Sequence, residues 1–156
     1  MRANRVSISS GYSLIELVIV GAIVTVLSAI VVPRYSATRD RYRVEMAARC
    51  IAGDLNLARS QAKQTSAPQI VIFDIATSTY AMNGIRSLDG KSSNSLVNLA
   101  GDPFDSTLVS VNLAGTTQIT YDAYGSADHG GQIVVRSNGA QTTVTIEATS
   151  GKATVP

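Results

Sequence analysis

The sequence has few of the residues from which catalytic and metal centres are built. Its 156 residues include no Trp, one His and one Cys. A single Cys cannot form an intramolecular disulfide, and His129 and Cys50 do not supply the donor set of a transition-metal site. No serine lies in a Gly-x-Ser-x-Gly turn, and no glycine-rich phosphate loop is present. The sequence therefore predicts a protein that is not an enzyme and that uses no cofactor, metal or small-molecule substrate.

Positive charge is scarce in the second half of the chain. From Gln64 to the C-terminus, four basic residues stand against seven acidic ones. Proteins that bind nucleic acids carry a basic surface, so this acidic excess argues against nucleic acid as a partner. Asp102 and Asp105 could together contact a cation, but two carboxylates around Pro103 in a loop are more typical of a turn. A turn is the prediction here.

The one long hydrophobic run extends from Leu14 to Val32. As a helix its 19 residues are about 28 Å long, the thickness of a bilayer core. Its apolar side chains favour insertion by roughly 4 to 8 kcal/mol, which exceeds the cost of about 3 kcal/mol for the carboxylate of Glu16. We therefore predict a transmembrane half-helix over residues 12–33. Two alternatives explain this run less well. A secretory signal peptide cleaved near Tyr35-Ser36-Ala37 would have a shorter hydrophobic core than this run. A plain membrane anchor would account for the hydrophobic residues but not for Glu16.

After this run, apolar residues recur at alternating spacings of four and three. Such spacing places them on one face of an amphipathic helix, with arginines and aspartates on the other faces. We predict that the helix continues over residues 34–64, ends before Pro68 and packs this face on a sheet. The predicted packing face consists of Val44, Ala48, Ile51, Leu55, Ala58 and Ala62.

Residues 65–156 show the alternation that is typical of β-strands. Asn138-Gly139 predicts a hairpin, because both residues tolerate positive φ. Residues 86–105 are rich in Ser, Asn, Gly and Asp and are predicted to be irregular. The fold class is predicted to be α+β, with the long N-terminal helix packed on a small antiparallel sheet or two-sheet sandwich that forms the head. The predicted strands are Gln69–Ile75, Thr79–Met82, Leu108–Leu113, Gln118–Tyr121, Gln132–Arg136, Thr142–Glu147 and Ala153–Val155.

The residues at the start of the hydrophobic run resemble the leader junction of type IV prepilins. They read Gly11-Tyr12-Ser13-Leu14-Ile15-Glu16-Leu17. The resemblance implies a leader peptide, residues 1–11, that prepilin peptidase removes after Gly11, and methylation of the new N-terminus at Tyr12. The family usually has Phe and Thr after the cleaved bond, so Tyr12 and Ser13 are departures that keep an aromatic ring and a hydroxyl.

The same resemblance implies assembly roles for Glu16 and Pro33. After cleavage, Glu16 is the fifth residue and lies about 6 Å along the helix axis from the new amine. In the family this carboxylate meets the N-terminal amine of a neighbouring subunit, and two buried opposite charges cost less together than apart. Pro33 falls where pilin-like helices carry a kink-forming proline.

Motifs in the head are similar to those of one branch of this family. The resemblance is to the H-type minor pseudopilin of type II secretion systems and to the T-type fimbrial minor pilins. It implies a structural subunit of a periplasmic pilin-like filament, with other pseudopilins or pilins as partners. The alternative is a minor type IV pilin for pilus assembly or DNA uptake. The motifs are Asp54-Leu55, Ala58-Arg59 and Ala62 on the helix, then Ile119–Gly125, Gly131–Val135, Thr143–Ile146 and Gly151-Lys152.

The resemblance also implies an orientation in the membrane. The chain is expected to cross the bacterial inner membrane once, with its leader in the cytoplasm and its head in the periplasm. The positive-inside rule favours the reverse, because Arg34, Arg39, Arg41 and Arg43 outnumber Arg2 and Arg5. We follow the junction motif and predict a periplasmic head, because processing of the leader requires that orientation.

Overall fold

One long helix and eight strands make up the described part of the protein. The computed structural model describes residues 11–84 and 94–156, with only the backbone described at positions 30–34. Helix α1 spans Leu14–Thr65, where the sequence predicts one helix with halves over residues 12–33 and 34–64. The predicted leader lies outside the described residues except for Gly11. The chain divides into two compact units, Met1–Ser36 and Ala37–Pro156. The second unit therefore contains the C-terminal half of α1.

The C-terminus of α1 is closed by a Schellman motif. The Ala67 N–H donates to the Ala62 carbonyl at 3.3 Å, and Ser66 between them takes a positive φ of 50°. This bond satisfies a carbonyl that the helix end leaves without a partner. Pro68 follows at once and cannot continue the helix. The helix therefore ends where the sequence predicts.

The strands form two antiparallel sheets of four strands each. Sheet A has the order β3-β2-β1-β5 and sheet B the order β4-β6-β7-β8. The predicted pairing of the first two strands is confirmed, with Val71 opposite Met82 and Asp74 opposite Thr79. The α+β class with a two-sheet head is thus confirmed. The strands are β1 Gln69–Asp74, β2 Thr79–Asn83, β3 Asn94–Asn98, β4 Thr107–Asn112, β5 Gln118–Tyr121, β6 Gly131–Ser137, β7 Ala140–Ile146 and β8 Ala153–Thr154.

Strand β3 corrects the prediction that residues 86–105 are irregular. Its five residues Asn94–Asn98 pair with β2 in an unbroken register. The strand lies at a sheet edge, and only Val97 among its side chains packs against the core. One inward-facing apolar residue is too few to produce the alternating pattern by which a strand is predicted. Residues 85–93 of the same segment lie outside the described residues.

The predicted hairpin at residues 138 and 139 is present between β6 and β7. Ser137 pairs with Ala140, which leaves a two-residue turn. Asn138 takes a positive φ of 48°, whereas Gly139 lies outside the left-handed region. The turn therefore uses the conformational tolerance of Asn138 and not that of Gly139.

A single hydrophobic cluster joins α1 to both sheets within the second unit. All six residues of the predicted packing face are at most 3% exposed. Sheet A contributes Val71, Phe73, Tyr80, Met82, Ile119 and Tyr121, and sheet B contributes Leu108, Ile133, Val135, Val144, Ile146 and Ala153. Burial of such side chains is worth roughly 1.5 to 3 kcal/mol each, so this contact is the main source of the unit's stability.

Candidate functional site

The helix start places Glu16 in the first turn of α1. Gly11, Tyr12 and Ser13 precede the helix, and the Leu17 N–H donates to the Ser13 carbonyl at 3.2 Å. Ser13 is thus at the N-cap and Glu16 three residues beyond it, the residue types and spacing of a capping box. An acidic side chain here also interacts favourably with the helix dipole. The Ser-x-x-Glu pattern is readable from the sequence, and it is separate from the assembly role that the prepilin resemblance implies for Glu16.

The N-terminal part of α1 exposes apolar side chains on every side. Ten large apolar residues between Leu14 and Leu27 are 52% to 81% exposed. A helix that is apolar all round is stable when apolar surroundings cover it. Among the residues whose side chains are described, no helix contains a segment long and apolar enough to cross a membrane. Positions 30–33, the end of the predicted half-helix with Pro33, lie outside those residues.

A partly buried polar cluster lies between α1 and sheet A. The Tyr80 hydroxyl donates to Asp54 Oδ2 at 2.5 Å, and the Cys50 sulfur lies 3.5 Å from the Tyr80 oxygen. Burial raises the pKa of Asp54 more than the bond from Tyr80 lowers it. Burial, followed by the nearby Asp54 carboxylate, also raises the pKa of Tyr80. Burial raises the pKa of the Cys50 thiol, so this Cys is a protonated packing residue and not a nucleophile.

Four further polar contacts fasten α1 to the loops and strands of the head. The Asn56 amide donates to the Ala153 carbonyl at 3.0 Å and accepts the Ala153 N–H at 3.2 Å. These contacts hold the C-terminal half of α1 against the head within the second unit. The other three are Arg59 Nε to the Gly125 carbonyl at 3.0 Å, Arg43 to Asp105 at 2.6 Å and Asn138 to Asp40 at 3.0 Å.

Of the two carboxylates considered as cation ligands, Asp105 already has a positively charged partner in the protein. Asp105 forms the ion pair with Arg43, and its N–H and that of Phe104 both donate to the Gly101 carbonyl at 3.0 Å. This is the hydrogen bonding of a turn. His129 lies 3.3 Å from Asp128 on the head surface. Within residues 11–84 and 94–156, no three His, Cys, Asp or Glu side chains are grouped as metal ligands.

No sequence pattern predicts the contacts of Asp54, Asn56, Arg59 and Tyr80. Asp54 and Arg59 occur in the helix motif that is similar to minor pseudopilins, but that motif alone does not say what they touch. One signal was available for Asp54, because a carboxylate next to the apolar face of a buried helix needs a hydrogen-bond donor. The donor comes from β2, 26 residues away, and sequence spacing cannot identify it.

Comparison with known proteins gives one family and one solved structure. The family model described as type II transport protein GspH matches residues 47–150. The crystal structure of the type IV minor pilin FimU of Pseudomonas aeruginosa strain PAO1 is 15% identical, with a TM-score of 0.51 over 74% of this chain and 90% of that chain. At this identity the likeness shows the fold alone. None of the curated proteins matches the chain.

Proposed function

Since the chain belongs to the GspH family and is thus a minor pseudopilin of type II secretion, we propose that its N-terminal helix carries the head into a periplasmic filament of pseudopilins. Assembly with other pilin-like subunits is what the family implies. Its members are structural subunits and not enzymes. The N-terminal half of α1 then makes the contact with the filament.

The observation that carries this proposal is the exposed apolar surface from Leu14 to Leu27. The second unit buries its own apolar residues in one cluster, so that unit does not need a partner to complete its core. Among the first unit's described side chains, residues 11–29 and 35–36, none is buried, and the large apolar ones face outward. Before assembly we propose that the inner membrane covers this surface, in a span from Leu14 to Val32, and that the helices of neighbouring subunits cover it afterwards.

We further propose that prepilin peptidase cuts after Gly11 and that Tyr12 becomes the methylated N-terminus. Glu16 then pairs with the amine of a neighbouring subunit, and Pro33 bends the helix. The head, residues 65–156, is on the periplasmic side. The exposed positions of Gly11, Tyr12 and Ser13 ahead of the helix support access by the peptidase.

Two substitutions separate the assembly role of Glu16 from its local role at the helix start. Glu16→Gln keeps a side chain that can complete the capping box but removes the charge, whereas Glu16→Leu removes both. If the charge pairs with a neighbouring amine, both variants are absent from filaments isolated from the cell envelope and cargo secretion falls at least tenfold. The assembly role would be contradicted if Glu16→Gln subunits entered filaments as wild type does while Glu16→Leu subunits did not.

The second candidate is a minor type IV pilin that acts in pilus assembly or DNA uptake. The likeness to FimU favours it in fold, but a fold does not decide function, and the matched family is that of type II transport. The full chain in detergent should pass through a double-stranded DNA column at about 150 mM salt, because residues 64–156 carry a net negative charge. Retention of the chain under these conditions would favour the second candidate.

A further inference from the structure

Strand β7 is covered on one side along its whole length and on the other side only in part. It pairs with β6 from Ala140 to Ile146, whereas β8 pairs with Thr145 and Ile146 alone. The start of β7 therefore has one uncovered side. Such a side presents N–H and C=O groups that another strand can bond.

The ladder between β7 and β8 shows which backbone groups point to this side. The Glu147 N–H donates to the Lys152 carbonyl at 3.0 Å, and hydrogen-bonded pairs alternate along an antiparallel ladder. Every second residue from Glu147 back along β7 thus points its backbone groups away from β6. On the uncovered part of the strand, these residues are Thr143 and Gln141.

The hairpin at the other end of β7 gives the same alternation. Ala140 lies opposite Ser137 across the two-residue turn, and the residues that flank such a turn form a hydrogen-bonded pair. Ala140 therefore bonds to β6, and Gln141 points the other way. Within the residues that the structure describes, no hydrogen bond to the backbone N–H or C=O of Gln141 or Thr143 is present on this side. The β8 register, continued, sets Pro156 opposite Thr143, and a proline has no N–H to donate.

A groove of about 470 Å³ lies along the uncovered side, between β7 and α1 in the second unit. The Asn138 amide donates to Asp40 at 3.0 Å and so fixes the hairpin to the helix beside the groove. Gly84, after which the described chain is interrupted, lies beside Gln69, just past the opposite end of α1. The groove is lined by Arg41, Val44 and Glu45 of α1, by residues 139–142 and by Pro156.

Arg41 gives this groove a positive charge that has no counterion. Glu45, on the same wall, pairs with Arg49 at 2.6 Å. Among the described residues, no ion pair includes Arg41. The groove therefore favours an acidic side chain at this point.

We propose that the groove binds an extended segment of another protein, which adds antiparallel to β7 and carries an acidic residue opposite Thr142. Only an extended backbone offers donors and acceptors two residues apart, as Gln141 and Thr143 require. Thr142 is on the same face of β7 as the buried Val144, the face that α1 covers. The partner's side chain opposite Thr142 therefore points toward α1 and Arg41.

Amide hydrogen exchange of the full chain in detergent, resolved by NMR, tests the open edge first. Gln141 and Thr143 should exchange at least ten times faster than Thr142, whose N–H bonds to β6. Thr142 is the matched control, because it lies between the two and reports the opening of the sheet itself. Equal protection of Gln141 and Thr142 would overturn the proposal, since the edge would not be open.

A short segment attached after Pro156 then stands in for the partner's strand. The sequence Glu-Thr-Thr places its Glu opposite Thr142 and the next residue opposite Gln141. Because tethering gives a high local concentration, exchange at Gln141 should slow at least tenfold, whereas Lys-Thr-Thr should slow it less than twofold. Equal effects of the two segments, or no effect of either, would overturn the proposal.

Charge reversal identifies Arg41 as the residue that recognises the acidic side chain. Arg41→Glu should remove the effect of the Glu segment and make the Lys segment slow exchange at Gln141 at least tenfold. Arg39→Glu is the matched control, because Arg39 is also exposed but does not line the groove, and it should respond as wild type does. A reversal that fails for Arg41, or that occurs equally for Arg39, would overturn the proposal. The groove lies in the second unit, so no outcome bears on the filament contact proposed for the N-terminal half of α1.

Discussion

Two buried tyrosines allow a matched test of the polar contact between α1 and sheet A. Tyr80 and Tyr121 are 1% and 0% exposed, and each contributes to the hydrophobic core from sheet A, Tyr80 on β2 and Tyr121 on β5. The Tyr80 hydroxyl bonds Asp54, whereas the Tyr121 hydroxyl has no hydrogen-bond partner among the described residues. Replacement by Phe removes the same single oxygen from both sites, so the difference between the variants isolates the bond.

The expected magnitudes follow from the partners. A hydrogen bond to a charged group is worth about 1.5 to 3 kcal/mol, so Tyr80→Phe should lower the free energy of unfolding by that amount. A buried hydroxyl without a partner costs free energy, so Tyr121→Phe should be neutral or stabilise by up to about 1 kcal/mol. Urea titration of the full chain in micelles, followed by amide circular dichroism, measures both. Equal losses in the two variants would refute the assigned bond.

The pH dependence of stability gives a second check on the same cluster. The pKa of Asp54 is raised by burial above its ordinary value of 3.8, so between pH 3.8 and the raised pKa the folded state holds more of this proton than the unfolded state does. Stability contributed by this group is therefore present below pH 3.8 and is lost as the pH rises through the raised pKa. Asp54→Asn removes this dependence while keeping an acceptor for Tyr80. The variant should gain stability relative to wild type as the pH rises from about 4 to 7, and a constant difference would contradict the shift.

Three further substitutions test the packing of the head, each by urea titration. Asn56→Ala should lower the free energy of unfolding by about 1 to 3 kcal/mol, because the Ala153 backbone groups lose both partners; no change would show that β8 does not need the contact. Gly131→Ala should destabilise more than Gly139→Ala, since a Cβ at 131 meets a backbone oxygen at 2.2 Å and one at 139 meets nothing within 4 Å. Ile51→Ala should cost about 2 to 5 kcal/mol as a fully buried residue, and a cost below about 1 kcal/mol would contradict its place in the core.

The helix and most strands are predictable from the sequence because their signals are local. The spacing from Val44 to Ala62 fixes the buried face of α1, and alternation fixes seven of the eight strands to within about two residues. Strand β3 is missed because its outer face is exposed and its neighbour supplies the pairing. Tertiary contacts such as those of Asn56 and Tyr80 join residues distant in sequence, and periodicity carries no information on them. The surroundings of Glu16 are predictable only in part. The capping pattern Ser-x-x-Glu is local and can be read from the sequence, whereas the proposed amine partner belongs to another subunit.

The central claim is that the chain assembles through a processed pilin-like helix. Its most direct test is the mass of the N-terminal peptide of protein isolated from membranes with and without prepilin peptidase. The account predicts a methylated peptide that begins at Tyr12 when the peptidase is present and an unprocessed chain when it is absent. A peptide that begins at Met1 in both samples would leave a plain membrane anchor. A start near Thr38 would mean an ordinary secretory signal, and either result would contradict assembly through a processed pilin-like helix.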